Sequence, residues 1–179
     1  MGKCGIIYTN NQPKEGNMNR TIGIISIIGI LLTCTMLVAF KSQDNTTKLI
    51  RTNYVSGTHG KTYVIESMDE LDEYIKTNMD VYGLHHKEKV YSDTTIGFVD
   101  AVEEYDEEFF KEKTLVIVLL TESSGSIRHK VTSASVKDGT MEIKIKRNVP
   151  KIGTCDMAGW HVLVETEKVE IEEISVVVV

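Results

Sequence analysis

The chain has 179 residues, a formal net charge of −6, 41% hydrophobic residues, 13 Gly, 2 Pro and 3 Cys. That length suits one folded unit, and so little Gly and Pro excludes collagen-like and Pro-rich disordered chains. Excess acid argues against general nucleic-acid binding, which needs cations to displace phosphate counterions, and cysteines as scattered as Cys4, Cys34 and Cys155 exclude a disulfide scaffold and a zinc knuckle.

Residues 1–21 read as a short tail with no folding or targeting pattern. Lys14-Glu15-Gly16 would be encoded by a purine-rich stretch just ahead of Met18. A bacterial ribosome-binding site translated by mistake would look like this, so a natural start at Met18, with 1–17 mis-assigned, is one expectation and a genuine tail the other.

Ile22 to Phe40 carries no charge. As a helix rising about 1.5 Å per residue it covers roughly 28 Å, near the thickness of a bilayer's hydrocarbon core. An uncleaved transmembrane anchor is the expectation, because signal cleavage needs small residues at −3 and −1 and candidate cuts place Leu37 or Phe40 at −3. Leu31-Leu32-Thr33-Cys34 offers a lipoprotein anchored at Cys34 as the alternative, although Thr33 is a poor residue before a lipidated cysteine. Lys3, Lys14 and Arg20 before the span balance Lys41, Lys48 and Arg51 after it. The signal-like order of basic start, apolar run and polar segment favours a C-terminal domain outside the cytoplasm, in a single-pass protein of a bacterial cell membrane.

Residues 41–60 are polar, rich in Asn and Thr, and read as a linker. Residues 61–179 predict one sheet-dominated α+β domain with about two helices and six mostly antiparallel strands. Tyr63-Val64-Ile65 is a short strand, and Ser67 with Glu70 forms a capping box for a helix presenting Met68, Leu71 and Ile75 on one face through about Asn78. Met79 to Thr95 reads as loop, and Phe98, Val102, Tyr105 and Phe109 recur at helical spacing up to Phe110. The continuous run Leu115 to Leu120 predicts a strand covered on both faces. Ile127–Lys137 and Thr140–Arg147 flank Asp138-Gly139, a hairpin signal, with a bulge expected where Val131 and Val136 fall out of phase. Trp160, Val162 and Val164 alternate in another strand, with Trp160 expected in the core, and Val169–Val179 predicts the last one.

Candidate chemistry is sparse. His85-His86-x-Glu88 has metal-ligand residue types, but adjacent histidines in a strand point to opposite sides, so an exposed loop is the better reading. The acids Glu103, Glu104, Asp106, Glu107 and Glu108 read as a solvated helix face. Cys155 or a serine (Ser123, Ser124, Ser126) with His129 or His161 would make a cell-envelope hydrolase, the alternative function. Neither the thiol–imidazole spacing nor a strand–elbow–helix context supports it. The expectation is therefore a non-enzyme with no catalytic residue, cofactor or metal. A basic stripe of Arg128, Lys130, Lys144, Lys146 and Arg147 on the hairpin is the candidate partner-binding surface.

Residues 105–179 resemble the small domain of the PrcB family of protease-complex subunits. The likeness lies in Phe109-Phe110 ahead of Leu115-Val116-Ile117-Val118, the Ser124-Gly125 loop, the Asp138-Gly139 hairpin, Pro150 and a closing pair of apolar strands, in that order. Ser126-Ile127 stands where members usually carry a second glycine and an aromatic, and the Thr154 to His161 segment is not the usual one. The resemblance implies an extracytoplasmic, non-catalytic accessory domain that supports a secreted protease. Together these readings give a membrane-anchored protein-binding domain whose partner is a protease or another envelope component; a purely structural envelope protein is a further alternative.

Overall fold

The computed structural model of the protein describes residues 46–87 and 96–179. The expected anchor at 22–40, the Met18 start, Cys34 and Glu88 lie outside the described residues. Among the described residues no helix is long and apolar enough to cross a membrane.

Among the described residues the domain is a sheet-dominated α+β fold of seven strands and three helices. In chain order they are β1 (Thr47–Thr52), β2 (Thr62–Ile65), α1 (Met68–Tyr82), α2 (Phe98–Val102), α3 (Glu107–Glu112), β3 (Lys113–Glu122), β4 (Arg128–Lys137), β5 (Thr140–Asn148), β6 (Ala158–Glu167) and β7 (Glu173–Val178). A four-stranded antiparallel sheet has the order β1-β6-β3-β2. A three-stranded sheet has the order β4-β5-β7, with β4–β5 antiparallel and β5–β7 parallel.

Three layers result, and the apolar run in β3 explains them. Leu115, Ile117 and Leu119 face the helices with Leu71, Tyr74, Phe98 and Phe110, while Val116, Val118 and Leu120 face the smaller sheet with Met141, Ile143 and Ile145. A strand between two layers must be apolar at every position, because neither of its faces meets water. β6 repeats the pattern, with Trp160, Val162 and Val164 on the smaller-sheet side and Leu163 on the helix side. Fully burying each such aliphatic side chain contributes about 1.5–3 kcal/mol.

Local signals set the element ends. The Ser67 hydroxyl accepts from the Glu70 amide, and the Glu70 carboxylate accepts from Glu66, one residue before the cap. Gly83 ends α1 in the left-handed conformation (φ 64°), which glycine adopts without strain. Asp138 and Gly139 both take positive φ, as the two-residue hairpin requires, and β4 has a register shift between Val131 and Ser133.

Several expectations need correction. The segment read as linker contains β1, whose Leu49 and Ile50 pack into opposite cores. The first helix runs on to Tyr82 rather than ending near Asn78. The helix expected from Phe98 to Phe110 is two helices, because the Asp106 side chain accepts from the Phe109 amide and starts a new one. The last strand begins at Glu173, not Val169, and pairs in parallel with β5.

Candidate functional site

The side chains singled out for chemistry lie in separate parts of the domain. His161 projects from β6 into the helix-side core. It is 1% exposed, with its Nδ1 2.9 Å from the Thr52 hydroxyl and its Nε2 2.9 Å from the Tyr74 hydroxyl. The rings of Tyr74, Tyr82 and Phe98 surround it. Burial pushes its pKa down to about 3. A general base works best with a pKa near the working pH, so this imidazole is too weak a base for neutral-pH catalysis and serves as a neutral hydrogen-bonding core residue.

His129 lies on the opposite face of the larger sheet, between the two sheets. Its Nε2 donates to Glu122 Oε1 at 2.7 Å, and Arg147 clamps the same carboxylate with Nε and Nη2 at 2.8 and 2.7 Å. Burial pushes the Glu122 carboxyl up, but the bonds from Arg147 and His129 together outweigh it and hold the pKa below the usual range. Burial also lowers His129, more than Glu122 raises it. The imidazole is then neutral with its proton on Nε2, and Nδ1 is left with no hydrogen-bond partner. The cluster closes the open end of the inter-sheet core beside Trp160, whose ring centroid is 5.7 Å from that of His129.

Cys155 is exposed and free, on the loop between β5 and β6. His129 and His161 are engaged elsewhere, so the structure does not bring it to an imidazole. Ser124 and Ser126 hydrogen-bond each other at 2.8 Å, and Ser124 also bonds the amide and carbonyl of Thr154. Those serines hold one loop against another. His86 pairs with Asp100 at 2.5 Å; the His86 side chain, followed by the Lys87 amide, holds that carboxyl below its ordinary range. Among the acids, Glu104 pairs with Lys48 and Glu108 with Lys111. No group of three or more His, Cys, Asp or Glu among the described residues is arranged to hold a metal.

The basic stripe divides. Lys130 and Lys146 face each other across β4 and β5 on the outer surface of the smaller sheet, and Lys144 follows them. Arg147 turns inward to Glu122. Arg128 folds over the indole of Trp160, 5.5 Å from the ring centre, and donates to the carbonyl of Gly125 at 2.6 Å.

That last contact leads to the site that sequence reading missed. Arg51, from the end of β1, pairs with Asp156 against the other side of Gly125. A Cβ added to Gly125 would lie 2.2 Å from Asp156 Oδ2 and 2.3 Å from Arg51 Nη2, so any side chain there would push the pair aside from its present place. Two guanidinium groups therefore converge on the Ser124-Gly125 loop. They line a cleft of about 460 Å³ together with Asn53, Lys87 and Met157. The only signal in the sequence was the adjacent apolar pair Leu49-Ile50, which marks a strand between two layers and places Arg51 at its end.

Beside the cleft, residues 149–157 form a fully exposed loop that displays Val149 (60% exposed), Ile152 (88%) and Met157 (59%). The loop is pinned by the bonds from Ser124 and Ser126 to Thr154, by the Gly125 amide on the Asp156 carbonyl at 2.8 Å, and by Arg51 on the Asp156 carboxylate. Hydrogen bonding to Thr154, then Arg51, pulls the Asp156 pKa down to about 2, so this carboxylate stays charged at any physiological pH. No protein-family model, no curated protein and no solved structure matches the chain. The fold and site define a three-layer sandwich with an exposed loop, anchored at Thr154 and Asp156, at the rim of a cleft lined by two arginines.

Proposed function

We propose that the chain is a single-pass membrane protein, anchored by residues 22–40, that holds this domain outside the cytoplasm and acts by binding another protein. A secreted or membrane protease, or another envelope component, is the partner class, as the resemblance to PrcB domains implies. The observation that carries the binding reading is the loop at residues 149–157. Exposed apolar side chains on a loop held by hydrogen bonds at Thr154 and Asp156 gain from being covered, and the anchoring lowers the ordering cost, which favours association. The like-charged pair Lys130–Lys146 adds to it, because cations facing each other across a ladder destabilise the free sheet and are relieved by an acidic counterpart.

Two outcomes are expected. Full-length chain stays in the membrane fraction through high salt and alkaline carbonate; quantitative release by carbonate would refute the anchor, and release on Cys34→Ala would point to lipidation instead. In crosslinking pull-downs from native membranes, Ile152→Asp and Met157→Asp reduce capture of the principal partner about tenfold or more, the size of an interface hot-spot loss. Their melting temperatures match the unaltered protein, because both side chains are exposed. Equal capture by all three proteins would remove the loop from the interface.

A further inference from the structure

The two sheets differ in width. β4 lies on the β1 side of the sandwich. The chain leaving β6 passes the end of β2, where Lys168 Nζ bonds the Glu66 carbonyl, before β7 begins. β7 is therefore the edge of the smaller sheet on the β2 side, and with three strands over four, β2 projects beyond it. Val64 records the gap: it shares the face of Val116, which is fully buried, yet is itself 37% exposed. Val169, Val177 and Val179 are also exposed near this edge.

Among the described residues no strand pairs with this edge, which presents an open hydrogen-bonding ladder. Val179 donates to Ile145 at 2.9 Å and accepts from Arg147 at 2.6 Å, and Glu173 donates to Gly139 at 3.3 Å. Since lateral direction alternates along a strand, the odd-numbered residues of β7 bond to β5, and Ile174, Val176 and Val178 turn their N–H and C=O groups away from the sheet. The strand carries no lysine, proline or bulge, the devices that usually protect an edge.

We infer that the β7 edge receives an extended, basic, β-prone segment of the partner polypeptide, added as a fourth strand over β2. This deepens the binding reading and rests on it. The free ladder calls for a backbone, and the exposed Val64 calls for apolar side chains at alternate positions facing inward. The charge follows from the segment leading into β7, where Glu167, Glu170, Glu172 and Glu173 are exposed along the chain and Lys168 bonds the backbones of the exposed Glu66 and Glu112. The Lys168 ammonium is bonded to the carbonyls of Glu66 and Phe110. A second copy of this chain does not fit by symmetric β7–β7 pairing. Two-fold pairing of β7 with β7 puts both larger sheets on one side, and the two projecting β2 strands would occupy the same space. A single strand meets no such obstacle.

The test is fluorescence anisotropy of a labelled, blocked heptapeptide of alternating valine and lysine against the full chain in detergent micelles. Saturable binding is expected. Val176→Pro removes an outward N–H and no bond to β5, so it should weaken binding at least tenfold while the protein remains folded. The Glu172→Gln, Glu173→Gln double variant should weaken binding several-fold, and a peptide with glutamate for lysine should not bind. Should Val176→Pro fail to fold, peptides N-methylated on one or the other alternate set of amides decide: one set should abolish binding and the other keep it. No binding by the unaltered chain, equal binding by folded Val176→Pro, or indifference to both methylation patterns overturns the proposal. A native crosslink lost in Ile152→Asp but kept in Val176→Pro leaves the binding reading in place and removes the edge.

Discussion

Acidification below pH 6.5 is expected to weaken the domain steeply, with His161 the principal cause. The imidazole is neutral in the fold, with a pKa pushed down to about 3 by burial, against an ordinary value of 6.5. Between those values the unfolded chain holds the proton and the folded one does not, so stability rises with pH there and is lost as pH falls. The stabilisation is fully present above pH 6.5 and declines by about 1.4 kcal/mol per pH unit below it. From pH 6.5 to 4.5 the loss is about 3 kcal/mol, against roughly 5–15 kcal/mol for a whole domain. His129, also lowered, acts in the same direction. Urea unfolding at a series of pH values measures the slope. His161→Gln removes the titrating group and should flatten it, at some cost in stability at neutral pH. An unchanged slope in that variant would refute the assignment.

Trp160→Ala is expected to cost about 3–5 kcal/mol, enough to unfold a marginal domain. The indole is 3% exposed, as its alternation with Val162 and Val164 predicts, and it fills the end of the inter-sheet core under Arg128. Its removal also opens the buried Glu122–His129–Arg147 cluster to water. Native fluorescence should be blue-shifted and shielded from iodide. Trp160→Phe is the informative companion. The indole N–H has no hydrogen-bond partner, so phenylalanine keeps most of the packing and removes a buried donor that costs about 1–3 kcal/mol unpaired. It should fall far less than alanine does. A Trp160→Ala protein with an unchanged melting temperature would show that the indole is not core.

What could be read from the sequence was local. The run Leu115–Leu120 announces a strand with two covered faces, Asp138-Gly139 announces a turn with positive φ, and Ser67 announces a helix start; each depends on residues within a few positions. β1 did not show because an edge strand pairs on one side only, and Thr47–Thr52 carries just Leu49 and Ile50 as apolar contacts. The parallel return of β7 beside β5 depends on the width of the finished sheets, to which no short window of sequence refers. The candidate site was hidden for the same reason. Arg51, the Gly125–Arg128 turn and Asp156 come from three separate stretches, and the basic stripe divided because alternation sends Arg147 inward while Lys144 and Lys146 face out.

The order of strands in the larger sheet has a consequence for how the chain is made. β3 is flanked by β2, which precedes it, and by β6, which follows only after the whole β4–β5 hairpin and the 149–157 loop. A chain emerging from its N-terminus, at a ribosome or through a translocation pore, therefore presents Leu115–Leu120 with one side unpaired until Ala158–Glu167 arrives. β1 waits longer still, since its sole neighbour in the sheet is β6. Pairings so distant in sequence form slowly, and in the interval a bare run of β-branched and leucine residues invites association with other chains. Synthesis of this fold thus places a demand on holding factors that a hairpin-by-hairpin fold of the same size would not.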